Sequence, residues 1–188
     1  DVYDGSAWVG LVPFRVVGLR LPKAPALPWL SDFAETNVRT YVIDRTGRRG
    51  VWFCSLDAER LAAVIAARLY YGLPYYWSKM SVRCEGRSAR YESVRRNGPT
   101  AASHIEIEIG ERLTAQHELE LFLTARFRLH AQRAGRLLRA DVEHPPWPLH
   151  YAALTRINDT LIRAAGLPEP RGEPLVHYSH AVNVLVSR

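Results

Sequence analysis

Residues Gly50 to Met80 read GVWFCSLDAERLAAVIAARLYYGLPYYWSKM, and this stretch decides the fold. Val51 to Leu56 is rich in β-branched and aromatic residues, which suit a pleated, half-buried strand. Asp57 is placed to cap a helix, and from Arg60 to Tyr70 apolar residues recur at helical spacing. Gly72-Leu73-Pro74 stops the helix, because glycine accepts the left-handed conformation and proline cannot continue it. The expectation is a strand, a helix over Asp57–Tyr71, and a second strand from Tyr75 onward.

Working outward, hairpins dominate. Arg45-Thr46-Gly47-Arg48 turns the β-branched run Asn37–Ile43 into Val51–Leu56. Trp77–Glu85 and Ser88–Arg95 form a hairpin about Gly86, and Asn97-Gly98-Pro99 is a strong turn. The HIEIEI run within Ser103–Ile109 alternates as a strand with one wet face. Ala125–Gln132 and Arg136–Glu143 pair across Ala134-Gly135. Ala7–Leu21 reads as one long strand or as two joined by a bend at Pro13, Lys23–Phe33 as a Pro-marked loop, and Leu175–Val186 as a final strand. A short helix falls within Thr114–Leu123, and Tyr151–Ala165 reads as an amphipathic helix closed by Gly166 and Pro168. Strands in hairpins with a few helices predict one antiparallel α+β domain over residues 1–188, with the two longer helices outside. The strand number suggests a barrel.

Composition narrows the function. The chain has 188 residues, 47% of them hydrophobic, enough for one substantial core. Its formal charge is +6, and all its basic residues except Lys23 and Lys79 are arginines. They are scattered, with no basic stripe interleaved with aromatics, which argues against nucleic acid as a partner. No apolar run is long enough to span a bilayer, and no secretory signal is visible, which argues against a membrane partner. Cys54 and Cys84 lie in predicted strands without a Cys-x-x-Cys motif; they read as buried free thiols in a reducing cytoplasm.

Glu35, Asn37, Arg39 and Tyr41 share one face by the period of two. Arg39 could hold a substrate carboxylate in bidentate fashion, and Glu35 could transfer protons if burial raised its pKa. The alternative is an internal Arg39–Glu35 ion pair that fixes strand register. The seven histidines show no metal-ligand spacing, and no Gly-rich phosphate loop or Gly-x-Ser-x-Gly is present, so neither a metal nor a cofactor is expected.

Several motifs together are specific: Tyr3-Asp4-Gly5 with Ala7-Trp8-Val9-Gly10, Glu35-Thr36-Asn37-Val38-Arg39-Thr40-Tyr41-Val42, Phe53 with Ser55-Leu56-Asp57, Phe122 to Phe127, Glu143-His144-Pro145-Pro146-Trp147-Pro148-Leu149, and His177-Tyr178-Ser179. Carrying them, the chain resembles, over nearly its whole length, the bacterial family catalogued as domain of unknown function 2071, within the acetoacetate decarboxylase-like superfamily. The resemblance implies a cone-like antiparallel barrel with outer helices and an inner ligand cavity. It also implies an N-terminal segment, before the Asp-Gly run, that this chain lacks. After His177-Tyr178-Ser179 the chain departs, with His180-Ala181-Val182-Asn183 where the family pattern has Pro-Gly-Val-Asp.

In that superfamily a Gly-aromatic-Pro-Lys-Lys run delivers the Schiff-base lysine. Here Gly72-Leu73-Pro74-Tyr75-Tyr76 occupies it, so tyrosines stand at the lysine positions. The resemblance implies that Glu35 matches a cavity glutamate and that Arg68 matches an arginine that helps bind the substrate acid. Each has a plainer reading: Arg68 as a solvated helix-end cation, Tyr75 and Tyr76 as core aromatics, Lys79 as an exposed strand-end lysine. Two functions fit. One is a lysine-independent lyase, hydratase or isomerase on a small organic (keto) acid, with Glu35 and Tyr75 or Tyr76 catalytic and Arg39, Arg68, Asn37 and Tyr41 binding. The other is a non-catalytic small-molecule binder using the same cavity. A filled barrel would instead mark a structural or partner-binding protein, and a homo-oligomer is compatible with any of these.

Overall fold

The computed structural model describes residues 1–18, 31–133 and 136–187. The Gly50–Met80 stretch forms β5 (Arg49–Ala58), α1 (Leu61–Tyr71) and β6 (Tyr75–Glu85). Gly72, at φ 62°, ends α1 in the left-handed conformation, as its sequence position requires. β5 and β6 run parallel, Leu56 opposite Tyr75 and Ala58 opposite Trp77, because a helical crossover returns the chain in its original direction.

Around this unit lie β3 (Val9–Val16), β4 (Phe33–Ile43), β7 (Ser88–Arg95), β8 (Ala102–Arg112), α2 (Glu118–Thr124), β9 (Arg128–Arg133), β10 (Arg136–Glu143), β11 (Leu149–Asp159), α3 (Leu161–Ala164), β12 (His177–Ser179) and β13 (Leu185–Ser187). β1 (Val2–Tyr3) and β2 (Ser6–Ala7) form a separate ribbon. The main sheet runs β12-β11-β8-β7-β6-β5-β9-β10-β13, with β4 on the other edge of β5 and β3 beyond it. β5 is therefore a junction. One edge pairs with β4, and the other is shared by β9 at Val51–Trp52 and β6 at Leu56–Ala58. Two parallel pairings thus interrupt an otherwise antiparallel sheet.

The fold is α+β and mostly sheet, but the expected barrel does not close: among the described residues β3, β12 and β13 end the ladder. The sheet instead curls, so that Leu11 of β3 packs against Ala89, Ile105, Ile107 and Ile109 of β7 and β8. Val38 of β4 meets Ala101 and Leu161 on this same concave face. The other face of β4 and β5 is covered by α1, where Val64 packs on Phe33 and Ala58, and by α2, where Phe122 packs on Tyr41 and Val51.

Further expectations are corrected. Tyr151–Ala165 is not a helix; Leu149–Asp159 is strand, and only Leu161–Ala164 is helical. Its apolar spacing fits a helix locally, but pairing with β8 from His150 to Asp159 overrides that preference. Asp57 does not cap α1. It remains in β5, where its carboxylate is committed to Arg95 and Ser78, and α1 begins without a side-chain cap. The final strand is two short pieces, β12 and β13, rather than one. Cys54 and Cys84 lie in β5 and β6 as free thiols, as expected, but they are not buried: Cys54 is half-buried and Cys84 exposed. Lys23, most of its loop, Leu19–Leu21 and the Ala134-Gly135 turn lie outside the described residues.

Candidate functional site

β4 carries Glu35, Asn37, Arg39 and Tyr41 on the face that α1 and α2 cover. The register sets Glu35 opposite Ala58 and Asn37 opposite Leu56, which in turn faces Tyr75 across β5 and β6. This places Tyr75 diagonally from Glu35. Its phenol donates a hydrogen bond of 2.9 Å to Glu35 Oε2. Glu35 is 5% exposed, and no guanidinium or ammonium pairs with it among the described residues. Burial pushes the Glu35 carboxyl up to about 7. The Tyr75 hydrogen bond opposes the rise, and the Asp57 carboxylate adds to it. Burial and the Glu35 charge hold the Tyr75 phenol well above the usual tyrosine range.

The other expected residues divide. Asn37 is 4% exposed, and its Oδ1 has no hydrogen-bond partner among the described residues. Arg39 is not paired with Glu35. Its Nη2 donates to the Leu123 carbonyl at 3.4 Å, its guanidinium lies 5.7 Å from the Tyr41 ring and 5.8 Å from the Trp147 ring, and its buried Nε is unpartnered. Tyr41 is packed with Val51 and Phe122, as a core aromatic. Tyr76 points to the opposite face from Tyr75, by strand alternation. It lies under Arg95, 3.8 Å from its ring centroid, with the exposed Arg68 at 5.5 Å. Glu35, Tyr75 and Asn37 are thus brought together, Arg39 stands further along the same face, and Arg68 with Tyr76 forms a different cluster. Lys79 is exposed.

Sequence reasoning missed the buried pair on the concave face. Arg95 grips Asp57 through Nε–Oδ1 at 2.9 Å and Nη2–Oδ2 at 2.7 Å, and Ser78 donates to Oδ1 at 2.6 Å. Both charged side chains are 0% exposed. Nothing local marks Asp57 and Arg95 as partners, since they meet only through the β5-β6-β7 order. Trp147, named in the sequence only within the Glu143–Leu149 motif, proves to face Arg39.

Among the described residues no cluster of histidine, cysteine and carboxylate side chains could hold a metal ion, and no helix is long and apolar enough to cross a membrane. Two surface hollows, one beside Glu143, His144 and Leu185 and one beside Arg112, Leu121 and Trp147, do not touch Glu35.

The fold of this curled sheet is similar to that of acetoacetate decarboxylase. Acetoacetate decarboxylase from Legionella pneumophila superposes with a TM-score of 0.50 at 12% identity, covering 78% of this chain and 58% of that one. The chain therefore spans little more than half of that enzyme's length. The enduracididine biosynthesis enzyme MppR, solved with HEPES buffer bound, gives a TM-score of 0.45 at 11% identity, over 82% of this chain and 59% of that one. The model of domain of unknown function 2071, described as an uncharacterised conserved protein, matches residues 1–183. The uncharacterised protein YqjF of Bacillus subtilis (strain 168) is 36% identical over 187 residues, 98% of this chain and 77% of that protein. The chain belongs to the domain of unknown function 2071 family.

Proposed function

We propose that the chain is a lysine-independent lyase, hydratase or isomerase that moves a proton on a small organic (keto) acid at Glu35. The observation that carries this is a buried carboxyl whose hydrogen-bond partner among the described residues is a phenol rather than a cation. A carboxyl meant only to fix strand register would be paired with Arg39, which is instead held at Leu123. With a pKa raised to about 7, Glu35 is both acid and base near neutral pH, where general acid–base catalysis is most effective. Tyr75 holds Oε2 and leaves Oε1 to take the proton from carbon. The proton then sits on Glu35 and returns to the same carbon, to a neighbouring one, or to a departing hydroxyl.

The superfamily's acid-directed chemistry supports the choice of substrate class, and acetoacetate, in the name of the fold neighbour, begins the probe set. The test is α-proton exchange of keto acids in deuterium oxide, followed by proton NMR. Exchange above the buffer rate is expected, falling at least 100-fold in Glu35→Gln, within the range of a lost general base. Exchange at the buffer rate throughout, or unchanged in Glu35→Gln, refutes the proposal. Keto-acid binding without exchange would leave the non-catalytic binder on the same face.

A further inference from the structure

Resting on that reading of Glu35, we infer that the substrate is an elongated acid, its carboxylate held at Arg39 and its reacting carbon about five bonds away. Arg39 has no carboxylate partner among the described residues. Its position is fixed by the Leu123 carbonyl and the Tyr41 and Trp147 rings, while its buried Nε donor remains unspent. A guanidinium held in place with donors to spare is suited to a carboxylate, which takes two parallel hydrogen bonds from it.

Gly10 on β3 lets the Arg39 side chain pack close to the sheet. Gly10 lies opposite Arg39, and a Cβ there would sit 3.2 Å from Arg39 Cγ and 3.3 Å from Nε. Trp147 also lines the hollow beside Arg112 and Leu121, so the Arg39 end of the face lies one ring from solvent. Between the two ends stands Asn37, nine-tenths buried and more, with an unpartnered amide oxygen on the same face. It suits a polar group part-way along the ligand.

The spacing sets the length. Glu35 and Arg39 are four residues apart on one strand, about 13 Å between their Cα atoms. With contacts of roughly 3 Å at each end, roughly 7 Å remains, the span of about five carbon–carbon bonds. Acetoacetate cannot reach both groups. A methyl-keto acid near the length of 6-oxoheptanoate can.

The experiment is isothermal titration of the full chain with methyl-keto acids of rising length, from pyruvate and acetoacetate through levulinate to 7-oxooctanoate. Affinity is expected to peak at 6-oxoheptanoate or its immediate neighbours, at least tenfold above acetoacetate. Arg39→Gln should abolish the peak, lowering the affinity of 6-oxoheptanoate to that of the short acids, while Arg39→Lys keeps part of it. Glu35→Gln should preserve the length profile. A flat profile in the unaltered chain, an optimum at acetoacetate, or a peak that survives Arg39→Gln overturns the inference. Exchange of short acids without a length preference would also overturn it, while leaving the proton-transfer reading of Glu35 intact. A peak that depends on Arg39 without exchange in any acid would uphold the anchor and sink that reading instead.

Discussion

Replacing Glu35 by glutamine should make the protein more stable at alkaline pH. The Glu35 carboxyl titrates near 4.5 in the unfolded chain and near 7 in the folded one. Between those values the folded chain holds a proton that the unfolded chain has released. Stability therefore falls as pH rises through this window and levels off above it. A shift of that size corresponds to about 3 kcal/mol. Glutamine cannot ionise, yet its side-chain oxygen can still accept the Tyr75 hydrogen bond, so the variant should lack this loss. The assay is urea unfolding of both chains from pH 4.5 to 8.5, taking the difference in unfolding free energy at each pH. Groups such as Asp44 titrate alike in both and cancel. The difference should swing toward the variant by about 3 kcal/mol between the extremes. A difference that stays constant across that range would show that Glu35 ionises as freely as in water, and both the burial argument and the proposed base would fall.

The pair on the concave face gives a second test: Asp57→Asn should cost about 3–5 kcal/mol by leaving Arg95 buried without its carboxylate, and an Asp57→Leu, Arg95→Met double variant should recover much of it. Denaturant midpoints decide this, and a double variant no better than the single one contradicts it. Gly50→Ala should destabilise by about 1–3 kcal/mol, because the added Cβ would lie 2.6 Å from the Arg128 carbonyl oxygen at the β5–β9 junction. Gly47→Ala, in open space at φ 78°, should cost only about 1 kcal/mol of backbone strain. Borohydride treatment with keto acids should give no stoichiometric adduct by intact mass, since Tyr75 and Tyr76 stand at the two positions where the resemblance implies lysines; an adduct on the exposed Lys79 would overturn this.

What the chain discloses in one dimension follows from the range of its interactions. The β5-α1-β6 unit, the hairpin about Gly86 and the alternating strand over Ile105–Ile109 are set by local periodicity and turn chemistry, and they are found where expected. Period two also predicts that Glu35, Asn37 and Arg39 share a face and that Tyr75 and Tyr76 do not. The misreadings share a cause. Asp57 before a helical run looks like a cap until Arg95, two strands away, claims it. Leu154, Ile157 and Leu161 look like a helix face until β8 pairs with most of that segment. The Leu123 carbonyl and the Trp147 ring that hold Arg39 are likewise distant in sequence, so its separation from Glu35 could not be seen.

The shared edge of β5 constrains the order of assembly. Val51 and Trp52 wait for Leu129 and His130, which are synthesised only after α2. A ribosome-bound chain that has reached Thr124 can complete β5-α1-β6 and the following hairpin from its own neighbours in sequence. The first half of β5 would then stand with an unsatisfied row of amides beside Val51 and Phe53, an invitation to pair with another nascent chain. Closure of this gap by β9 is a late, long-range event, of the kind that slows folding. Conditions that stall synthesis before Arg128 should therefore favour aggregates seeded at β5 rather than soluble fragments.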